Sequence, residues 1–367
     1  MYKERIGITG IGVVSAHGAG KVPLWQALYA SQIPEIGKNE CLEIPYYKMK
    51  NKYSAMQMAQ LAIMEALEDA NLQGVDFPLV YAWSKEIPNQ ILNESFFELV
   101  QNPSLFSKQC DWKGSVIGMN TACVSGINAV YTGLSLLLSE NVDIVIVGAM
   151  EEELPDFLIA AYKNMQVLHS PSSDTISFCP FDQDASGFML SQGAAFFVLE
   201  KESSIRKRNA KVWAWIKNMI IMNEAYHMTR LNPDGMGVAR LIERVLGNDW
   251  TETNGYVNCH GTATRSNDLA EIRGLNYFFK NNDKISISAT KPVTGHALGA
   301  SSALEIAIIC WCLQSGWVPP TIYLKNLIEK SSLDFVFDQG KPIDLNWALS
   351  LSYGFGGHLA GILLQKR

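Results

Sequence analysis

The 367 residues predict an α/β protein in which one strand–helix pattern runs twice. Three observations carry this. Short apolar or β-branched runs alternate with segments of helical period along the chain, the signature of layered α/β folds. The runs Val142–Gly148, apolar but for Asp143, and Ala194–Leu199 read as strands covered on both faces. A charged stretch, Glu200 to Lys211, interrupts the alternation, and a strand-like run from Val212 to Met222 restarts it.

In order, residues 5–14 read as a strand broken by glycines. Gly10-Ile-Gly12 resembles part of a dinucleotide fingerprint, but the third glycine and the following acidic residue are missing. Pro23 to Ser31 reads as a helix with proline in its first turn. Residues 36–53 read as irregular, Ser54 to Ala70 as an amphipathic helix and Phe77 to Trp83 as a strand. Residues 84–113 show no sustained period and contain Pro88 and Pro103. Ser115–Met119 reads as a strand and Gly126–Leu138 as a helix, so with Val142–Gly148 they predict a parallel pair joined by a right-handed crossover. Leu158–Met165 reads as helical. After the break come helices at Gly237–Leu246, Asp268–Phe279 and Leu298–Leu313. They alternate with strands at Asn254–Val257 and Lys284–Ser288, and two strands close the chain at Leu349–Tyr353 and Ala360–Leu364.

With 48% hydrophobic residues and 18% charged ones, the chain can bury a large core. A formal net charge of -6 argues against wholesale nucleic-acid binding. Seven cysteines without a CxxC pair or zinc spacing suit a reducing compartment, with no metal expected. The apolar run Ile6–Val14 is too short for a membrane span, and no signal-peptide pattern follows it. A soluble cytoplasmic protein is the expectation.

Asn120-Thr-Ala-Cys-Val-Ser-Gly126 places Cys123 at a strand-to-helix turn crowded with small residues. Such a cysteine reads either as a buried structural residue or as a nucleophile, because a helix N-terminus favours thiolate over thiol. Three glycine-rich loops follow predicted strands and each carries a histidine: Asn258-Cys-His-Gly-Thr-Ala-Thr264, Ser288-Ala-Thr-Lys-Pro-Val-Thr-Gly-His-Ala-Leu-Gly-Ala300 and Ser352-Tyr-Gly-Phe-Gly-Gly-His358. Strand-exit loops are where open α/β sheets build sites. A cysteine at a helix start with loop histidines is an arrangement for a thiolate nucleophile.

Together these motifs resemble those of the β-ketoacyl-acyl-carrier-protein synthases, the decarboxylating Cys-His-His branch of the thiolase-like superfamily. Ile8–Ser15, Cys179-Pro-Phe-Asp182 and Glu224-Ala-Tyr-His-Met-Thr229 extend the likeness over most of the chain. The resemblance implies a thiolase-like fold: two similar halves in five layers, α-β-α-β-α, expected to divide at 1–205 and 206–367. It also implies a dimer, either a homodimer or a heterodimer with a paralogous ketosynthase-like subunit. Cys123 would hold an acyl group taken from the phosphopantetheine of an acyl carrier protein, with no other cofactor. His260 and His296 would stabilise the enolate formed when a malonyl-type thioester loses CO2. Lys291 and Glu305 match a family ion pair that organises the histidine loop, and Asp268 and Glu271 match supporting positions. The backbone N–H groups of Cys123 and Phe355 would form the oxyanion hole. Phe355 would gate the acyl tunnel, facing a loop at 223–233.

Several departures accompany the likeness. The chain is short before Cys123, where it reads Ala82-Trp-Ser-Lys-Glu-Ile-Pro88. The family's usual Arg-Asp-Gly-Phe is Ala185-Ser-Gly-Phe188 here, its Gly-Glu-Gly is Ser191-Gln-Gly193, and Leu359 stands where asparagine is common. These changes fit a specialised enzyme of aryl-polyene or polyketide synthesis, or a non-catalytic partner of the chain-length-factor kind. Such partners usually lack the cysteine, which favours an active enzyme. A coenzyme A thiolase fits less well, because its second cysteine near the chain end is missing. Carrier proteins are acidic, so Lys48, Lys50, Lys52 and Arg206-Lys207-Arg208 are candidate docking residues, although the last three also read as a solvated connector.

Overall fold

A computed structural model describes residues 4–39, 41–84, 102–139, 142–169, 178–247, 254–280, 282 and 284–366. Among the described residues the central sheet has twelve strands, of which ten form its body: β1 (Ile6–Ser15), β2 (Leu79–Trp83), β3 (Val116–Asn120), β4 (Ile144–Glu151), β5 (Gly193–Lys201), β6 (Ala214–Asn223), β7 (Gly255–Asn258), β8 (Ile285–Ser288), β9 (Trp347–Gly354) and β10 (His358–Gln365). The sheet order is β3-β2-β4-β5-β1 and then, continuing, β6-β10-β9-β7-β8, with Asp334–Phe335 added beyond β8. Each half therefore has the same order and the same directions. β2 lies parallel to both β3 and β4, while β4–β5 and β5–β1 are antiparallel. β7 lies parallel to both β8 and β9, while β9–β10 and β10–β6 are antiparallel. The halves join where Ile6, Gly7 and Ile8 pair with Ile216, Trp215 and Ala214.

The longer helices among the described residues are α1 (Lys21–Tyr29), α2 (Ala55–Asp69), α3 (Ser125–Ser139), α4 (Asp156–Asn164), α5 (Met236–Leu246), α6 (Arg265–Phe279) and α7 (Ser301–Ser315). Helix α2 covers β1, β5 and β4 from outside, and α5 covers β10 and β6, with α6 packed beside it. Helices α3 and α7 pack on each other between the two half-sheets. The layers are thus α-β-α-β-α. α7 is apolar on every side because it is central: Ile306, Ala307, Ile308 and Ile309 are all fully buried. The segments Ala122–Ser139 and Leu298–Ser315 are long and apolar enough to cross a membrane, but 56% and 83% of them are buried inside this fold.

Gly10 and Gly12 have a packing role. A Cβ on Gly12 would lie 1.9 Å from the Ala62 carbonyl oxygen, and one on Gly10 2.0 Å from that of Ala66. The glycines let α2 lie directly on β1, which accounts for the Gly-Ile-Gly run without a nucleotide. Ser54 caps α2 with a full capping box, its hydroxyl accepting from Gln57 N–H and Gln57 accepting from Ser54 N–H.

The structure departs from several sequence expectations. The pair expected between the strands flanking α3 does not form, because β2 lies between them. Pairing is a choice among distant segments, and local periodicity does not contain it. Helix α1 starts earlier than expected, so Pro23 is its third residue. The stretch 36–53 contains a small antiparallel pair, Ile36–Lys38 with Pro45–Tyr47. Pro103–Cys110 is a short helix capped by the Asn102 side chain. The altered segment before Cys123 lies outside the described residues from 85 to 88.

Candidate active site

Cys123 sits within a single 3-10 turn, Ala122–Val124, between β3 and α3. His296 lies just ahead of a matching turn, Leu298–Ala300, which leads into α7. Both turns start on a non-glycine residue in the left-handed region, Ala122 at φ 52° and Leu298 at φ 44°. That conformation costs energy and persists where surrounding contacts enforce it. Thr121 N–H donates to Ser125 Oγ at 2.9 Å, and Ser125 Oγ donates to the Trp83 carbonyl at 2.6 Å. The repeated fold brings the two turns together, because the helix starts touch. Ile127 N–H donates to Ser302 Oγ at 3.3 Å, and a Cβ on Gly126 would lie 2.4 Å from Ala303 N.

The result is a cluster drawn from positions far apart in the chain. Cys123 Sγ lies 3.5 Å from His296 Nε2. The His260 and His296 ring centroids are 5.6 Å apart and nearly perpendicular at 86°. Hydrogen-bond partners assign both tautomers. Leu298 N–H donates to His296 Nδ1 at 3.2 Å, so that nitrogen is an acceptor and the ring proton is on Nε2. His260 Nδ1 faces the Lys291 ammonium at 3.4 Å, a group that only donates, which again leaves the proton on Nε2. Burial first, then the charge of the Lys291 ammonium, holds His260 well below the ordinary imidazole range, so its ring is neutral. Two neutral imidazoles beside a thiol offer a nucleophile and a pair of N–H donors for an oxygen that gains negative charge.

Lys291 is fully buried, and its ammonium donates to the His260 carbonyl oxygen and to Glu305 Oε1. Burial pushes the Glu305 carboxyl up to about 7 even beside that ammonium. Glu271 accepts from His260 N–H at 2.8 Å and Gly261 N–H at 2.9 Å. Asp268 accepts from Phe181 N–H at 2.7 Å, tying the His260 loop to the Cys179–Asp182 motif, and its own burial raises it to about 7. Asp182 in turn accepts from the backbone N–H groups of Lys325 and Asn326 at 2.8 and 2.9 Å.

A cavity of about 700 Å³ opens over the cluster, with Cys123, Tyr162, Phe188, His260, His296 and Phe355 in its wall. Phe355 is half-buried at the tip of the β9–β10 hairpin, followed by Gly356 at φ 88° and Gly357 at φ 80°, conformations that favour glycine. The 223–233 segment does face this tip: Asn223 Nδ2 donates to the Gly356 carbonyl at 2.7 Å, and Gly356 N–H donates to that of Met228 at 2.6 Å. His358 starts β10 and does not line the cavity.

The candidate docking residues divide. Lys48, Lys50 and Lys52 are exposed, lie outside the cavity wall, and Lys48 is bonded to Glu35 at 2.8 Å. Arg206 and Lys207 are exposed, with Arg206 paired to Glu202 at 2.7 Å. Arg208 is committed to the fold, donating to both carboxylate oxygens of buried Glu200 and to the Ala70 carbonyl. Among the described residues, the exposed lysines and arginines in the cavity wall are Arg230 and Arg265.

Sequence reasoning missed Ser301, Ser352 and Glu151. Ser301 Oγ lies 2.9 Å from His296 Nδ1. Ser352 Oγ donates to the Cys123 carbonyl at 3.2 Å and lies 3.5 Å from His260 Nδ1. Glu151 accepts from Gly299 N–H at 3.0 Å and Ser84 N–H at 3.1 Å, holding the turn after His296 to the end of β2. The serines stood inside or beside the motif stretches, but a serine there carries no signal until its partner is placed. In the altered 185–193 segment, Ser186 Oγ lies 2.7 Å from Nδ1 of buried His169. Ser191 supports His296 through its backbone, its N–H donating to the His296 carbonyl at 3.1 Å.

The chain is similar to known proteins over nearly all of its length. Residues 101–204 match the family model "Beta-ketoacyl synthase, N-terminal domain", and residues 213–325 match "Beta-ketoacyl synthase, C-terminal domain". A 3-oxoacyl-[acyl-carrier-protein] synthase 2 of Coxiella burnetii is 28% identical, over 100% of this chain and 99% of its own length. The tetracenomycin polyketide synthase ketoacyl synthase alpha subunit of Streptomyces glaucescens is also 28% identical, over 99% of this chain and 97% of its own. Among solved structures, a type II polyketide ketosynthase in complex with its acyl-carrier protein superposes at a TM-score of 0.88 with 25% identity, covering 99% of each chain. A β-ketoacyl synthase from Burkholderia phymatum has a TM-score of 0.86 at 23% identity, with 99% of this chain and 100% of that one covered.

Proposed function

This chain belongs to the β-ketoacyl synthase family and is an acyltransferase, and from that membership we propose the roles of its residues in a decarboxylative Claisen condensation. The observation that carries the assignment is the approach of Cys123 Sγ to His296 Nε2 at 3.5 Å, with the neutral His260 ring at its side. Cys123 attacks the thioester carbonyl of an acyl group on a carrier protein's phosphopantetheine, and the pantetheine thiol leaves. A malonyl-type thioester then enters with its carbonyl oxygen between the two Nε2–H groups. The bond to its carboxylate breaks, CO2 departs, and the electron pair is held as an enolate that these donors stabilise. The enolate carbon attacks the acyl carbonyl on Cys123, a carbon–carbon bond forms, and the cysteine sulfur leaves. The product is a β-ketoacyl thioester two carbons longer.

Lys291 and Glu305 hold the His260 loop in place, and Glu271 and Asp268 brace it from behind. The closeness of Gly354 to the nucleophile supports an oxyanion hole from the Cys123 and Phe355 N–H groups, since a Cβ on Gly354 would lie 3.4 Å from Cys123 N. Phe355 gates the cavity. The edge of β3 supports a dimer: β3 ends the described sheet, and Ile117, Tyr131 and Leu138 leave apolar surface exposed beside it. A second copy or a paralogous subunit covers that face. The working place is the cytoplasm, and the departures at 185–193 point to aryl-polyene or polyketide synthesis.

Intact mass measurement after mixing with acylated carrier protein tests the assignment. An acyl adduct on the chain that disappears in Cys123→Ala is expected. No adduct from any acyl donor, with or without a paired subunit, would leave a non-catalytic, chain-length-setting subunit as the better reading.

A further inference from the structure

We propose that Ser301 is a positioning residue for the decarboxylation step, its hydroxyl locking His296 in the tautomer that presents Nε2–H to the substrate. The inference rests on the condensation proposed above and adds a residue to it. Ser301 is the first residue of α7 and is buried, and its Oγ lies 2.9 Å from His296 Nδ1. A hydroxyl can donate or accept, so the pair alone does not assign the proton. The third partner decides. Leu298 N–H also points at Nδ1, at 3.2 Å, and a backbone N–H only donates. Nδ1 is therefore the acceptor of both bonds, Ser301 is a donor, and the ring proton is on Nε2. The other tautomer would set the Leu298 N–H against a ring N–H and leave a buried donor without a partner, an unfavourable arrangement.

The serine does work the backbone does less well. Leu298 N–H is the longer of the two bonds, and it comes from a residue held at φ 44°. The Ser301 hydroxyl is shorter and starts from regular helix, with φ −54° and ψ −51°. The ring is also held by the edge of Phe188, centroids 4.7 Å apart at 71°, so a fixed proton becomes a fixed direction toward Cys123. Positioned donors contribute where charge develops, so the hydroxyl should matter most when the enolate forms and least when the acyl group is loaded.

The test compares wild type, Ser301→Ala, Ser301→Thr and Ser302→Ala as full-length protein. Ser302 bonds Ile127 N–H at 3.3 Å and serves as the neighbouring control. Two readouts are taken: histidine ring nitrogen NMR, with His296 assigned against His296→Gln, and the separate rates of Cys123 acylation and malonyl-thioester decarboxylation. In wild type, Nδ1 should resonate as an acceptor nitrogen and Nε2 as an N–H. Ser301→Ala should give mixed tautomer signals and a decarboxylation kcat about five- to tenfold lower, the factor set by one hydrogen bond of ordinary net strength. KM and the acylation rate should move less than about twofold, a split that marks a transition-state interaction. Ser301→Thr should restore both readouts, and Ser302→Ala should leave the His296 signals unchanged. An unchanged His296 spectrum in Ser301→Ala, or equal losses in both rates, overturns the proposal. A wild-type protein that neither acylates nor decarboxylates overturns the assigned function instead, and the wild-type spectrum still judges the tautomer.

Discussion

Replacing Lys291 by Met should expose how the site tolerates a fully buried ion pair. The ammonium satisfies three buried acceptors, the His260 carbonyl, His260 Nδ1 and Glu305 Oε1. Hydrogen bonds to a charged group are worth about 1.5–3 kcal/mol each, and breaking a buried pair typically costs about 3–5 kcal/mol. Glu305 can relieve part of that cost by taking a proton, because burial already pushes it up to about 7 with the ammonium present. Without Lys291 its folded value rises further. A raised carboxylate means that the folded state keeps a proton the unfolded chain has released, so stability falls as pH rises through that window. Below about 7 both proteins hold Glu305 largely protonated; above it only the variant must. We therefore expect Lys291→Met to cost about 3 kcal/mol at pH 8.5 and about 1 kcal/mol at pH 6, read from urea denaturation midpoints. Removing both charges in Lys291→Met/Glu305→Leu should recover about 1–3 kcal/mol of the loss at pH 8.5. Condensation should fail in both variants, since His260 loses its anchor. A pH-independent penalty, or a double variant whose cost is the plain sum of the single ones, would refute the reasoning.

Three further outcomes follow from specific contacts. Gly126→Ala should destabilise the chain by about 1–3 kcal/mol and slow acyl loading, because the new Cβ would meet Ala303 N at 2.4 Å and drive the two central helix starts apart; denaturation and adduct formation measure both. Glu152→Gln should stabilise the protein by about 1 kcal/mol at pH 8 and hardly at all near pH 4.5, because burial pushes this carboxyl up to about 7 while Gln can still accept the Ala55 N–H bond; an equal gain at both pH values would contradict it. Arg230→Glu with Arg265→Glu should weaken carrier-protein binding at least about tenfold and flatten its salt dependence, whereas reversing Lys48, Lys50 and Lys52 should have a smaller effect, because the arginines stand in the cavity wall and these lysines lie outside it; titration at two ionic strengths distinguishes them.

How much of this was readable beforehand depends on range. The turn at Cys123 and the His260 and His296 loops were legible because each is a contiguous motif on a strand exit. Ser301 and Ser352 were not, since a serine acquires its role only from the ring or carbonyl placed beside it. The candidate docking lysines show the same limit. A run of basic residues is visible in the chain, but which charges stand at a cavity is set by how distant loops meet.

The sequence by itself determined most of the strands and helices, that the pattern repeats, and which residues carry reactive groups. These follow from side-chain periodicity and turn chemistry within a dozen or so residues. The tertiary structure decided the insertion of β2 between β3 and β4, and the use of Gly10 and Gly12 as a seat for α2. It also decided the meeting of Cys123 with a histidine 173 positions away. That meeting follows from two half-sheets of identical order enclosing α3 and α7, so that their matching turns converge at one point in the middle layer.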